Sequence, residues 1–127
     1  MNNLGTTLDT MHRIQRDLFA AVQQAEHGSS ATIVTLRQEF AEVCGTFLAD
    51  LQSWLHQGGN VALFMALQNE FDAMRLAVVQ HQYHWTPQAI AANYEVYLRR
   101  SRALGRQTQQ FLDHASAAAC EQWTEAA

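Results

Sequence analysis

Residues 81–87 read HQYHWTP: two histidines three apart, then tryptophan, threonine and proline. Residues three apart share a helix face, so His81 and His84 could reach one metal ion. His27 would be the third ligand if the first and third helices end on the same side. Such a centre needs more donors. Di-iron bundles draw on Glu-x-x-His pairs and further glutamates, and no glutamate here precedes a histidine by three. His12, His56 and His114 do not supply the four- and five-residue spacings of oxygen-carrying bundles. Histidines near a helix C-terminus also meet its free carbonyls and the negative end of its dipole. The stretch therefore reads as the end of one helix and the start of the next. No metal or other cofactor is expected, and His27, His81 and His84 are the only residues with ligand-like placement.

Other reactive arrangements are absent from the sequence. There is no nucleophile elbow, glycine-rich phosphate loop or HExxH motif. Glu39 and Glu42 lie one turn apart, as solvated carboxylates on a helix surface often do. The reading is of a protein that is not an enzyme, with no catalytic residues. The densest charge feature is Arg99, Arg100, Arg102 and Arg106. Arg99, Arg102 and Arg106 share a helix face, with Glu95 four residues before Arg99 in the favourable orientation for an ion pair. They form either a solvated, ion-paired face or a stripe for an anionic partner.

Elements must position these groups, and composition limits the kind. The 127 residues carry a net charge of −4 and are 48% hydrophobic and 16% charged, the profile of a globular chain. That charge argues against a nucleic-acid partner. Cys44 and Cys120 have no ligand-like spacing and read as buried, reduced thiols. The start MNNLGTTLD shows no signal peptide, and no apolar run approaches the ~20 residues of a membrane span. A cytoplasmic protein without a transmembrane segment is expected.

The expected fold is all-α: one domain, residues 1–127, forming an antiparallel four-helix bundle with a long C-terminal helix. HGSS at 27–30, QGGN at 57–60 and WTP at 85–87 divide the chain into helices at about 6–26, 31–57, 60–84 and 87–123. Thr86 is the expected N-cap and Pro87 the first helical residue. Leu8, Met11, Leu18 and Val22 mark the inner face of the first helix. The second has the widest stripe: Ile33, Leu36, Phe40, Val43, Cys44, Phe47, Leu51, Trp54 and Leu55. The third carries Phe64, Leu67, Phe71, Met74, Val78 and His81, continuing onto Trp85. The fourth presents Ile90, Tyr94, Tyr97, Leu104, Phe111 and Ala115. Unbroken, it would reach ~60 Å against roughly 30–40 Å for the others. Either Gly105 bends it, or the tail ASAAACEQW, with Ala119, Cys120 and Trp123, projects and favours self-association.

The stripe of Phe47, Leu51, Trp54, Phe64, Leu67 and Phe71 spans two consecutive helices. Its simplest reading is core, and its alternative is an amphipathic hairpin laid on an apolar surface or partner. The run FLADLQSWLHQGGNVALFMALQNEFDAMRLAVVQHQY, residues 47–83, resembles the phasin family, small helical proteins that coat polyhydroxyalkanoate granules in bacteria. The resemblance rests on Leu67-Gln68-Asn69-Glu70-Phe71 and Tyr83, with Phe47 and Leu51 on the preceding helix. It implies an oligomeric, non-enzymatic coat protein. Its apolar stripe would bind the granule surface or a protein partner, and charged faces such as Arg99 and Arg106 would stay in water. A second class is a cytosolic adaptor or chaperone, because EFAEVCGTFLADLQSWLHQGG, residues 39–59, is similar to bundle proteins that sequester the housekeeping sigma factor. A histidine-containing metal bundle is the third.

Overall fold

The computed structural model describes the backbone over residues 3–25 and 30–126, with side chains over 3–25 and 31–120. Five helices follow in order: α1 (Leu4–Gln24), α2 (Ser30–His56), α3 (Val61–His84), α4 (Pro87–Ala92) and α5 (Tyr94–Ala126). No strand occurs among the described residues. The fold is all-helical, in keeping with apolar positions that recur every three or four residues. Among the described residues no helix is long and apolar enough to cross a membrane.

Local chemistry sets the boundaries. The turn that closes α2 is made at Gly58, whose φ of +97° is open to glycine and costly for other residues. The N–H of Gly58 donates to Leu55 O and that of Gly59 to Trp54 O, the paired bonds that close a helix C-terminus. Gly59 has a second reason to lack a side chain, since a Cβ there would lie 2.6 Å from the Trp54 ring. Asn60 then caps α3, its side chain accepting from the Leu63 N–H at 3.0 Å. At the other end α3 stops at His84. Thr86 accepts from the Ala89 N–H at 3.2 Å, and Pro87 opens α4. The HQYHWTP stretch is a helix junction.

The expected continuous helix over 87–123 is two helices, and the break is not at Gly105. It falls at Asn93, whose φ of −150° and ψ of 61° leave the helical region. Its N–H donates to Ala89 O and its carbonyl accepts from the Tyr97 N–H, so one residue closes α4 and opens α5. Turning there buries Ile90 and lets the Tyr94 hydroxyl donate to the Val22 carbonyl at 2.8 Å, at the end of α1. Gly105 lies inside α5.

Helix α1 packs on α2 and α5, α3 packs on α5 and α2, and α4 packs on α5. The core lies between the long helices. Phe47 of α2 stacks on Phe71 of α3 at 5.1 Å, and Phe111 of α5 meets Phe47 edge-on at 5.6 Å. Below the α3–α4 junction, Trp85 rests on Tyr97 at 5.4 Å. Polar ties join the same elements: the Thr7 hydroxyl donates to Asp50, and His12 Nε2 lies 3.0 Å from Ser116 Oγ.

The two cysteines differ, against expectation. Cys44 is buried, and burial pushes its thiol pKa up, with Arg75 beside it opposing the shift. Cys120 is exposed, because it follows the buried Ala118 and Ala119 and falls off the inward face of α5. Ala119 is therefore packed and not part of a projecting tail, while Trp123 lies outside the described side chains.

Candidate functional site

The hairpin stripe lies inside the molecule. Phe47, Leu51, Trp54, Leu67 and Phe71 are buried, and Phe64 is partly buried against them. As an exposed binding face the stripe is corrected to core, for a reason the hairpin alone does not contain. Phe111, Leu112 and Ala115 of α5 and Leu8 and Met11 of α1 join the same apolar cluster. Surface for a partner has to come from elsewhere.

Helix α3 supplies it on its opposite side. Val61, Met65, Leu76, Val79 and Tyr83 are all at least half exposed, Tyr83 at 88%. With ~100° between successive residues, these positions and Asp72 fall within an arc of ~60°. Leu67, Phe71, Met74 and Val78 occupy the opposite, buried side. Helix α3 thus carries two apolar stripes back to back. The helical spacing of 61, 65, 76, 79 and 83, with one eleven-residue step between Met65 and Leu76 that contains Asp72, is readable in the sequence. The stronger aromatic stripe masked it.

A mostly apolar cavity of about 70 Å³ lies where α1, α2, α3 and α5 converge. Arg37 of α2 lines it. Its Nη1 donates to the Trp85 carbonyl at 2.9 Å, capping α3. Its Nη2 is buried with no hydrogen-bond partner among the described residues. His81 also lines the cavity, with Nε2 3.2 Å from Ser101 Oγ and its ring stacked 5.7 Å from Tyr97. Burial first, then the charges of Arg37 and His84, lowers the His81 pKa to about 4. The imidazole is neutral at ordinary pH, and the fixed positive charges of the cavity are Arg37 within and the exposed Arg102 at its rim.

Of the three histidines with ligand-like placement, His81 and His84 part company. His84 points away from the cavity and sets its ring edge-on to Trp85 at 4.9 Å. His27 lies outside the described residues. Among the described residues no group of three or more His, Cys, Asp or Glu side chains is placed to hold a metal ion.

The arginine face is only partly as expected. Arg99, Arg102 and Arg106 are exposed, but no Glu95–Arg99 ion pair forms among the described residues. Arg102 donates to Gln23 Oε1 across to α1 at 3.3 Å. Arg102 and Arg106 join Arg16 of α1 around Phe19 and Gly105, in a groove beside the cavity mouth. Arg99 stands apart from this groove. Arg37 and Ser101 were not singled out by sequence reasoning. Arg37 had a signal: it falls four after Ile33 and three before Phe40, a cation inside an apolar stripe.

Compared with known proteins, the chain matches no family model, no curated protein and no solved structure.

Proposed function

We propose that this chain is a non-enzymatic helical interaction protein that pairs through the outer face of α3, with a second copy of itself as first partner. The observation that carries this reading is the exposed stripe of Val61, Met65, Leu76, Val79 and Tyr83. A helix facing a core shows an apolar sector of at least ~100°, whereas a narrow seam is the geometry of helix-to-helix pairing. The stripe runs over 23 residues from Val61 to Tyr83, ~33 Å of helix, with Asp72 in the gap between Met65 and Leu76. Two such stripes laid antiparallel about a two-fold axis place Met65 of one copy beside Val79 and Tyr83 of the other. The same register places Asp72 of each copy near the two-fold axis, the one charge inside the seam.

The body that presents this face is, in our reading, an antiparallel bundle of α1, α2, α3 and α5, with α4 as its corner. Thr7 meeting Asp50, Arg37 meeting Trp85 and Glu70 meeting His114 support opposite directions for neighbouring helices.

Sedimentation velocity over a range of concentrations tests the pairing. The wild type should shift from monomer to dimer, and Leu76→Glu with Val79→Glu should stay monomeric with an unchanged helical spectrum. A wild type that is monomeric throughout would sink self-pairing. A granule coat is the second reading, favoured by the position of the exposed stripe within the phasin-like segment 47–83. Binding to an amorphous polyester suspension that the same double substitution abolishes would support it.

A further inference from the structure

The cavity behind Arg37 is separate from the outer face of α3 and does not depend on how that face is used. An arginine nitrogen sealed from solvent without an acceptor is uncommon, because buried donors are nearly always satisfied. Here the guanidinium is held in place by the Trp85 carbonyl on one arm, which leaves Nη2 as a pre-oriented donor. No aspartate or glutamate lines the cavity, so nothing in its wall neutralises the charge.

The other walls define what fits. Ser101, His81 and Thr108 are among its polar groups, while Leu18, Phe40, Val78 and Leu104 make most of the wall apolar. A volume of about 70 Å³ is room for several water-sized groups, each needing ~10–15 Å³ by the same measure. That is a head group with a short tail, too little for a sugar or nucleotide. Arg37 is the one guanidinium held inside the site, with the exposed Arg102 at its rim, and one inner cation suits a monoanion, since burying a dianion demands more compensating donors. Outside, Arg16, Arg102 and Arg106 make the approach positive and draw anions toward the mouth.

We propose that this cavity binds a small monocarboxylate, its carboxylate on Arg37 Nη2 and Ser101 Oγ and its short aliphatic tail among Leu18, Val78 and Leu104. The planar fork of arginine matches a carboxylate and fixes the orientation of the tail.

The test is titration of the folded full-length protein with sodium butyrate at constant ionic strength, read by two-dimensional NMR and by the thermal midpoint. The expected result is saturable shifts confined to residues around Val78, Ser101 and Thr108, with a rising midpoint. Arg37→Gln should weaken binding at least tenfold. Ser101→Leu, which replaces the hydroxyl with a bulkier apolar group and keeps Arg37, should do the same and decides the matter if Arg37→Gln does not fold. Shifts that grow linearly without saturation, or butyrate binding unchanged in the folded variants, would overturn the site. Inorganic phosphate binding as tightly as butyrate would overturn the monocarboxylate assignment.

Discussion

His81 shows how one side chain links stability to pH. Its ordinary value of 6.5 falls to about 4 in the folded protein, first through burial and then through Arg37 and His84. Between those values the unfolded chain binds a proton that the folded chain refuses, so stability rises with pH across this window. It is lost as the pH drops from about 6.5 toward about 4. Urea midpoints for the wild type and His81→Gln over that range should converge at low pH and separate at neutral pH, with the wild type the steeper. Parallel curves would mean that His81 is not the titrating group. The sequence carried half of this. The i,i+3 pair His81 and His84 was visible and correctly placed at a helix end, but only tertiary packing turns His81 inward onto Ser101 and Tyr97 while His84 stays out. Arg37 is the same lesson in reverse: its position within the stripe was readable, and its unpaired nitrogen was not.

At the scale of the helix, local signals were enough wherever the backbone itself carries the instruction. Thr86-Pro87 and Gly58-Gly59-Asn60 encode their turns through a cap, a fixed φ and a positive φ, and the observed ends fall within a residue or two of those expected. Asn93 carries no such signal. Its break follows from Tyr94 reaching α1 and Ile90 reaching the core, both distant in sequence. The glycine pair separates two kinds of constraint. Gly58→Ala forces an L-residue into the left-handed region and should cost ~1–2 kcal/mol. Gly59→Ala drives a methyl group to within 2.6 Å of the Trp54 ring and should cost more, because a buried indole must move. Urea denaturation of both variants gives the order directly.

For the molecule as a whole, the helical class and most core positions follow from periodicity, while the division between core and binding surface does not. Phe47 and Val79 are both apolar residues at helical spacing, yet one is sealed under Phe71 and Phe111 and the other is half exposed. Which stripe is covered depends on where α5 lies. Phe47→Ala should accordingly cost ~3–5 kcal/mol in a thermal or urea melt, the usual range for a large core truncation. A loss near zero would place Phe47 on an open face.

The position of α5 also orders events during synthesis. Helix α1 leaves the ribosome ahead of α2–α5, yet the flank it shares with α5 is covered only when α5 arrives, with Tyr94 fastening to Val22 and Ser116 to His12. Until residue 111 emerges, Phe47 and Phe71 lack their third ring. A nascent chain stalled before that point holds the apolar faces around Phe47 and Phe71 open, and for that interval a chaperone has something to grip.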